Sequence, residues 1–591
     1  MITLLAVFVS HYLLQLSQNN GSFRLANLFI FSWHTQKFVL GSLVLLCLDL
    51  WIISFVGSFY VGNSIYFLLI SGIGIANYQK MALRMEPIYP DDLKMAMEWT
   101  MMKDIIGVPL FILVVLLVCL LTGGILWTVR QSIHLPKEWQ QIRLVTLLLT
   151  SFLLFYAGQF NHPGNMLRKE YDKTAKWIPY SQKMNYYNTG FMGGFLYNLR
   201  VDAMEKPEGY GRDSVEAIVA EYQNKAEQLN KLDTTKEAPN VVYIMSESFS
   251  DPLRMKGFEL TPDPLTVYRD IANESLMSGQ MLSQNYGGGT ANIEFEALTG
   301  LSMELFSQQM TTPYTMLVSK QTSFPSLVST LNKQGYYTTA IHPYNTSMYK
   351  RKDVYRAFGF DQFLDEKTMT HREKLTPNGY ISDESALNEV LDQLKNQEDP
   401  QFVHLVTMQT HMPYGNKYDK KEYRVSGEGN DDHLANYAQD IAYTSDALAK
   451  FIAQLDEVTE RKTVVVFWGD HLPSVYSEKT LEANSKVNSH LTEYFVYDTS
   501  TSVPTQSKNI SPFYFPMLVS DTPGIKKTGF DVLLAEMHDF LPAFEKEYYY
   551  YHQQWQNQMR LTPSEQAVYD RYNMIQYDLT EGEGYSLDLF K

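Results

Sequence analysis

The stretch Asn240–Val–Val–Tyr–Ile–Met245, followed at once by Ser246–Glu247–Ser248, decides how this chain folds. A short apolar run that ends in polar residues is typical of a strand covered on both faces of a sheet. Similar runs recur at Tyr337–Ile341, Phe402–Met408 and Thr463–Phe467, with helical patterns between them. This alternation predicts an α/β domain with a mainly parallel sheet covered by helices on both faces.

Polar side chains follow these predicted strands at the point where each strand ends. Glu247 follows the first strand, and Asp470 and His471 follow the last, while Thr290 comes after three glycines and opens a predicted helix. The carboxyl ends of parallel strands meet at one crevice, so we expect these residues to lie together. Carboxylates, an imidazole and a hydroxyl there indicate a metal site beside a hydroxyl nucleophile. Such a site suits transfer or hydrolysis of an oxyanion ester.

Each of these residues also has an ordinary structural interpretation. Thr290 is a common helix N-cap type, Glu247 could cap a helix or face solvent, and Asp470–His471 could be a salt-bridged loop pair. Their joint occurrence at strand ends favours the site. Three glycines let a ligand approach the backbone, and the N-terminus of the helix that follows favours a phosphate. Ligands of mixed hardness suit Mn²⁺ or Zn²⁺ better than Ca²⁺.

Further imidazole and guanidinium groups lie after other predicted strands. His342 and His411 each follow a strand and are candidates for a general acid or a phosphate hydrogen-bond donor, although a single histidine there is more often structural. Arg351 closes the run Tyr349–Lys350–Arg351, and its fork geometry suits a phosphodiester, with a solvated basic face as the alternative. His404 lies in mid-strand and is predicted to be a core residue.

The first 160 residues differ sharply from the rest, because leucine, isoleucine, valine and phenylalanine dominate them. We interpret five apolar segments as membrane spans, since each approaches or reaches the length that crosses a bilayer. They are Ile2–Leu16, Phe38–Phe59, Val61–Ala76, Ile105–Val129 and Leu144–Gly158.

The basic loop Arg130–Arg143 is predicted to face the cytoplasm, so the last span exports everything after residue 160. The loop Asn77–Asp104, which would then face outward, also carries basic residues and argues against this orientation. Asp49 lies inside the second span. An intramembrane carboxylate is a candidate functional group, but we favour pairing with a neighbouring helix or a position near the head groups.

We therefore predict four parts: a membrane domain over 1–160 with about five helices, a juxtamembrane helical linker over 161–237, a catalytic domain over 238–545, and a C-terminal helical tail over 546–591 that packs on it. The formal net charge of −16 argues against nucleic acid as a partner. Both cysteines, Cys47 and Cys119, lie in apolar stretches, which leaves the polar portion without a disulfide framework or a cysteine nucleophile.

Four motifs in order resemble those of lipoteichoic acid synthases, which are polyglycerolphosphate transferases with a sulfatase-like exodomain of the alkaline phosphatase superfamily. The motifs are Ser246–Glu–Ser248, Gly287–Gly–Gly–Thr–Ala–Asn–Ile–Glu–Phe–Glu296, Thr410–His–Met–Pro413 and Trp468–Gly–Asp–His471. The resemblance covers nearly the whole chain, including the spans. It implies a membrane-anchored phosphotransferase whose catalytic domain lies outside a bacterial cell.

The resemblance also implies a role for each candidate. The Mn²⁺ ligands would be Glu247, Thr290, Asp470 and His471; ligand chemistry alone also allows Mg²⁺ or Zn²⁺. Thr290 would be the nucleophile that accepts glycerophosphate from phosphatidylglycerol, and the acceptor would be a glycolipid or a growing teichoic acid chain. The residues implied to contact the glycerophosphate are His342, Arg351, His411 and Tyr349, the last at a position where the family often has tryptophan. His411 is also a candidate to protonate a leaving oxygen.

Other functions stay open within and beyond this resemblance. The same scaffold could move glycerophosphate or phosphoethanolamine onto a cell-wall polysaccharide or another acceptor, or serve as an inactive membrane-anchored scaffold. Sulfate ester hydrolysis is disfavoured, because Thr290 followed by Ala–Asn does not offer the Cys/Ser-x-Pro-x-Arg setting of common sulfatases. Five uneven spans without an evident repeat argue against a transporter.

Overall fold

The computed structural model divides into two compact units, Met1–Asp202 and Ala203–Lys591. The boundary falls inside the segment predicted as a linker. The residues that the structure describes are 2–84, 87–90, 92–95, 115, 122–132, 136–176, 178, 182–199, 202–235, 237–307, 310–346, 348–395, 397–427, 431–500, 505–545 and 548–591.

The first unit is helical. Three of its described helices are long and apolar enough to cross a membrane: Thr35–Val56, Phe59–Met81 and Lys137–Gly158. A fourth apolar helix, Ile2–Gln18, is shorter. The predicted span Ile105–Val129 lies mostly outside the described residues. The remaining described helices with assigned bounds are Phe23–Leu28, the π-helix Phe29–Trp33, Asp92–Met95, Met166–Asp172 and Gln182–Tyr197.

Asp49 is fully buried on the inner face of Thr35–Val56. Neither of its carboxylate oxygens has a hydrogen-bond partner within the described part of the chain. The pairing with a neighbouring helix expected for Asp49 is therefore not found among the described residues, while the alternative, a position near the head groups, stays a prediction. A buried polar group without a partner is costly, so the position is unusual for a residue with a purely structural role.

The second unit is built on an eight-stranded sheet in the order β10-β3-β9-β8-β1-β6-β4-β5. All neighbours run parallel except β9, which is antiparallel to both β8 and β3. The strands are β1 Asn240–Ser246, β2 Phe258–Thr261, β3 Met277–Leu282, β4 Tyr337–His342, β5 Gln362–Asp365, β6 Gln401–Val406, β7 Arg424–Gly427, β8 Thr463–Gly469, β9 Leu491–Asp498, β10 Gln506–Ile510, β11 Ala543–Glu545, β12 Tyr548–Tyr551 and β13 Gln554–Gln556.

Helices cover both faces of this sheet. The α-helices are Arg212–Asn230, Thr266–Glu274, Thr290–Thr299, Pro313–Met316, Leu327–Lys333, Arg351–Phe358, Asp383–Leu394, Asp431–Val458, Glu478–Glu482, Phe515–Ser520, Gly529–His538 and Pro563–Thr580. Short 3₁₀ turns are Pro252–Arg254, Met303–Leu305, Val318–Lys320, Met348–Lys350, Lys486–His490, Pro512–Tyr514 and Leu587–Phe590.

Two hydrophobic cores lie on opposite faces of the sheet. On β1, Val241, Tyr243 and Met245 belong to one core, while Val242 and Ile244 belong to the other. Because successive side chains of a strand point to opposite faces, a strand buried on both sides must be apolar throughout. The continuous apolar runs therefore arise from the two-sided cover, and the predicted α/β class is confirmed.

The tyrosine run near the C-terminus is a strand, where the sequence favours terminal helices. β12 pairs with β11 and β13, and tyrosine suits the pleated, half-buried surface of such a small sheet. A helix does follow, at Pro563–Thr580, and it begins with a capping box between Thr562 and Glu565.

Candidate active site

Two adjacent strands bring together a compact cluster of polar residues. β1 and β8 are parallel and in register up to Ser246 opposite Gly469, so Glu247 and Asp470 leave the sheet side by side. His471 comes next, and candidate ligand atoms of these three residues all lie within 4.8 Å of one another. All three side chains are buried. The cluster lies at the carboxyl edge of the sheet, which is where the sequence places it.

Hydrogen bonds fix each member of the cluster. One oxygen of Asp470, Oδ1, accepts the backbone N–H groups of Ser248 and His471 at 2.7 Å each. The Ser248 hydroxyl donates to Oε1 of Glu247 at 2.9 Å. His471 Nδ1 lies 3.0 Å from the Leu472 carbonyl oxygen, which only accepts, so Nδ1 carries the proton. The Nε2 lone pair then faces the carboxylates, 3.4 Å from Asp470 and 3.7 Å from Glu247.

Thr290 joins this cluster from a glycine loop. The loop is held against the strand that carries His471, since the Gly287 N–H donates to the Leu472 carbonyl at 3.0 Å. Gly289 has a φ of 92°, a left-handed conformation that favours glycine, and Thr290 starts the fully buried helix Thr290–Thr299. The Thr290 hydroxyl lies 3.5 Å from Oε2 of Glu247. It therefore faces the cluster from a helix N-terminus, where anions are stabilised.

The cluster fits a divalent cation. Oδ2 of Asp470 is buried and has no hydrogen-bond partner among the described residues, so it is left available as a ligand. Burial and the nearby Glu247 carboxylate raise the pKa of Asp470 to about 6. Burial lowers the pKa of His471, but the Asp470 and Glu247 carboxylates outweigh it, and the net pKa is raised. Nitrogen and oxygen donors crowded in this way are the ligands of divalent transition metals.

The two other candidate histidines lie at the end of β4 and in the loop that follows the neighbouring strand β6. His342 ends β4 and is buried, with Nδ1 3.0 Å from the Val406 carbonyl oxygen of β6. Burial and the adjacent Arg351 lower its pKa to about 3, so its imidazole is neutral near pH 7. His411 is half-buried, and its Nδ1 lies 2.7 Å from the Met412 carbonyl oxygen. The preceding residue, Thr410, donates its hydroxyl to the Glu247 carbonyl oxygen and so ties the His411 loop to the cluster.

Arg351 is only 2% exposed, so the solvated basic face considered for it is wrong. Its Nη1 donates to Glu294 and, at 3.0 Å, to the Tyr355 hydroxyl. The half-buried Tyr349 ring has its centroid 5.7 Å from the guanidinium carbon, within the range of a cation–π contact. The substrate contacts expected of Arg351 and Tyr349 stay predictions.

Glu294 is a buried acidic residue that lies beside the candidate residues. It does not follow a strand, so the search for polar residues at strand ends does not reveal it. It lies in the helix that Thr290 starts, four residues later, and is completely buried. The predicted core position of His404 is confirmed, but its Nε2 also lies 3.2 Å from Oε1 of Glu294. The available signal was an acid inside an otherwise apolar helix, since such an acid needs a partner.

The fold and the cluster define a phosphotransferase-type active site: a hydroxyl at a helix N-terminus beside a buried nitrogen/oxygen metal site. The sulfatase family model matches residues 239–524. A Rhizobium meliloti protein, provisionally named a cyclic beta-1,2-glucan modification protein, is 30% identical over 87% of this chain and 81% of its own length. Lipoteichoic acid synthase 2 of Bacillus subtilis is 23% identical over 52% of this chain and 49% of its own length.

A solved structure agrees with these relatives. Streptococcus pyogenes phosphoglycerol transferase GacH, in complex with sn-glycerol-1-phosphate, superposes with a TM-score of 0.58 at 29% identity, covering 65% of this chain and 97% of that one. The chain therefore belongs to the sulfatase family, as a lipoteichoic acid synthase-like member of the alkaline phosphatase superfamily. It is a phosphotransferase, anchored to the membrane ahead of a C-terminal catalytic domain.

Proposed function

We propose that this protein is a metal-dependent glycerophosphotransferase. It moves glycerol phosphate from phosphatidylglycerol, through a covalent intermediate on Thr290, onto a glycolipid or a growing lipoteichoic acid chain. The observation that carries the proposal is the Thr290 hydroxyl at a buried helix N-terminus, 3.5 Å from Glu247 within the cluster. The phosphoglycerol transferase and lipoteichoic acid synthase relatives support the choice of the transferred group.

Glu247, Thr290, Asp470 and His471 would hold the metal ion, which we propose to be Mn²⁺, with Mg²⁺ or Zn²⁺ as alternatives. When bound, such an ion lowers the pKa of a ligated hydroxyl and neutralises phosphate oxygens. The hydrogen bonds at Asp470 Oδ1, Glu247 Oε1 and His471 Nδ1 would fix the ligand orientations, as outer partners of metal ligands do.

The protein's own groups account for the bonds and protons. Thr290 Oγ1 forms a bond to phosphorus while the bond from phosphorus to the diacylglycerol oxygen breaks. Oε2 of Glu247, 3.5 Å from the Thr290 hydroxyl, would accept the Thr290 proton. His411, whose Nδ1 is held by the Met412 carbonyl oxygen, would give a proton from Nε2 to the leaving oxygen. In the second step the acceptor hydroxyl gives its proton to His411 and its oxygen bonds to phosphorus, while the bond from phosphorus to Thr290 Oγ1 breaks. Glu247 then returns its proton to Thr290 Oγ1, which restores the starting state.

The substrate would be oriented by His342, Arg351 and Tyr349. The neutral His342 imidazole, fixed through Nδ1 by the Val406 carbonyl, would donate or accept through Nε2 without adding charge. Arg351 would supply the positive charge that a phosphodiester requires. Their positions on neighbouring elements support this division of roles.

A polysaccharide acceptor is the second candidate. The Rhizobium meliloti relative, which is 30% identical over 87% of this chain, carries a name that refers to a modified glucan. A shared donor site with a different acceptor would account for both sets of relatives. We further propose a multi-pass membrane part with the catalytic unit on the outer face, supported by the three long apolar helices and by the basic residues Arg130, Lys137 and Arg143. The loop predicted over 130–143 is wrong for its second half, because residues 137 to 143 belong to the helix Lys137–Gly158.

The test is the turnover of fluorescent phosphatidylglycerol to diacylglycerol by detergent-solubilised full-length protein. We expect release with Mn²⁺, none with chelator, and none from Thr290→Ala protein that keeps the wild-type melting temperature. Adding a glycolipid in one arm and a β-glucan oligosaccharide in another, with mass spectrometry of the product, separates the two acceptors. Wild-type release that Thr290→Ala leaves unchanged would contradict the proposal.

A further inference from the structure

The Glu294 carboxylate is the centre of a buried network that joins three elements. It accepts a hydrogen bond from Arg351 Nη1 to Oε2 and from the Tyr355 hydroxyl to Oε1. His404 Nε2 lies 3.2 Å from Oε1. These donors come from the helix Arg351–Phe358 and from β6, while Glu294 itself belongs to the helix that starts at Thr290. The network therefore connects the candidate nucleophile helix to the elements that carry the candidate arginine.

The spacing along each helix makes this connection rigid. Glu294 is four residues after Thr290, and Tyr355 is four residues after Arg351, so each pair shares one helix face. Glu294, Arg351, Tyr355 and His404 are all at most 2% exposed. Side chains packed and hydrogen-bonded in this way have few alternative rotamers, and a change at Glu294 would be felt at Arg351.

Arg351 is held through only one nitrogen of its guanidinium group in the described chain. Both hydrogen bonds that it donates within the described chain leave from Nη1, and its buried Nε has no partner there. An arginine recognises a phosphate or carboxylate through two parallel N–H groups, and the Nε and Nη2 edge is one such pair. Glu294 thus binds the Nη1 side of the guanidinium, and the Nε and Nη2 edge is left to bind an oxyanion.

We propose that Glu294 is a positioning residue for transfer: it holds Arg351 by Nη1 so that the Nε and Nη2 edge binds the phosphate of the substrate. This inference rests on the proposed function. Neutralising the buried Arg351 charge is the simpler alternative, and it requires only that some carboxylate be nearby. Positioning requires in addition that the carboxylate lie at the correct distance from Arg351 Nη1.

Glu294→Asp separates the two roles, because it keeps the charge and withdraws the carboxylate by one methylene. We expect this variant to keep a melting temperature close to that of Glu296→Gln. It should bind sn-glycerol-1-phosphate at least tenfold more weakly than wild type by titration calorimetry with Mn²⁺ present. Glu296 is the matched control, since it is a buried glutamate of the same helix that accepts the Met303 N–H at 2.7 Å and contacts none of the network donors.

A double-mutant cycle tests whether Glu294 acts through Arg351. Arg351→Gln alone should weaken binding, and Glu294→Gln added to it should cost less than twofold more, because the group to be positioned is gone. A further tenfold loss in the double variant, or wild-type affinity in Glu294→Asp, would overturn the proposal.

The donor is tested separately from this inference. The wild type could bind sn-glycerol-1-phosphate yet release no diacylglycerol from phosphatidylglycerol. That result would refute the proposed donor, and the double-mutant cycle of Glu294 and Arg351 would still be interpretable. Wild type that does not bind the probe at all would refute both proposals. In the turnover assay, Glu294→Asp should raise KM for phosphatidylglycerol, whereas a purely structural role would leave KM unchanged and lower only the amount of active protein.

Discussion

The glycine before the candidate nucleophile offers a sharp test of the site geometry. Gly289 has a φ of 92°, and a Cβ placed there would lie 2.0 Å from Nδ2 of Asn285. That same nitrogen donates to the Gly289 carbonyl oxygen at 3.1 Å. Gly289→Ala is therefore expected both to strain the backbone and to push Asn285 away.

The expected cost has two parts. A left-handed conformation costs a residue with a Cβ about 1–2 kcal/mol. Displacing Asn285 adds about 1 kcal/mol for the lost hydrogen bond. Reduced freedom of the unfolded chain returns about 0.4–1 kcal/mol, which leaves a net loss of about 2 kcal/mol. Because Gly289 immediately precedes Thr290, the strain should also move the hydroxyl. A displacement of about 1 Å can cost on the order of 100-fold in rate.

Gly335→Ala is the matched control. Gly335 has a φ of 87° in the turn after helix Leu327–Lys333, and a Cβ there would meet no atom within 4 Å. It carries the conformational cost without the clash. Both variants should lower the apparent melting temperature by a few degrees, as about 1–2 kcal/mol does in a unit of this size. Diacylglycerol release per folded molecule should fall only for Gly289→Ala. Equal turnover in the two variants would refute the argument that this glycine sets the position of Thr290.

Three further outcomes are expected. Mn²⁺ at 100 times its Kd should stabilise the wild type by about 2.7 kcal/mol, measured as a raised melting temperature, and Asp470→Asn should lose most of this shift because Oδ2 is gone. Lys417→Met should lower the free energy of unfolding by about 3–5 kcal/mol, because it leaves the buried Asp440 without the ammonium that pairs with it at 2.7 Å. It should also reduce turnover, since the same ammonium donates to the carbonyls of Gln409, at 2.6 Å, and His411. An unchanged melting temperature would contradict this prediction. Asp49→Leu should raise the melting temperature by removing a buried carboxyl without a partner, worth about 1–3 kcal/mol, and a lower one would show that Asp49 has a stabilising partner.

Four inner strands were predictable from the sequence, whereas the buried inner strand β9 and the strands toward the sheet edges were not predicted. β1, β4, β6 and β8 are adjacent in the sheet and largely buried on both faces. β1, β6 and β8 are mainly apolar runs, and β4 is rich in β-branched residues, so local sequence is enough to recognise them. β10 is at the sheet edge and mostly exposed, and its sequence Gln506–Ser–Lys–Asn–Ile510 has no apolar pattern. Its strand conformation depends on backbone pairing with β3, which local sequence does not encode.

The candidate site divides in the same way. Glu247 and Asp470 were predictable together because strand ends of a parallel sheet converge, and β1 and β8 prove to be neighbours in register. The surroundings of Arg351 were not predictable. Its sequence context, Tyr349–Lys350–Arg351, equally suits a solvated face. Only the fold shows that Arg351 is buried and forms an ion pair with Glu294.

One helix shows how the fold assigns different states to equivalent residues. Glu294 and Glu296 are two residues apart and both fully buried, so their side chains leave the helix in different directions. Burial alone would raise the pKa of Glu294, but the Arg351 guanidinium together with His404 and Tyr355 outweighs it and lowers that pKa to about 2, so Glu294 is a charged anchor. Glu296 has no cation in its described surroundings; burial and the nearby Glu545 carboxylate raise its pKa well above its usual range, so it is a neutral acceptor for the Met303 N–H. Glutamine can therefore replace Glu296 at little cost, whereas at Glu294 it leaves a buried arginine without its counter-charge. For this reason glutamine should weaken substrate binding at position 294 and leave it unchanged at position 296.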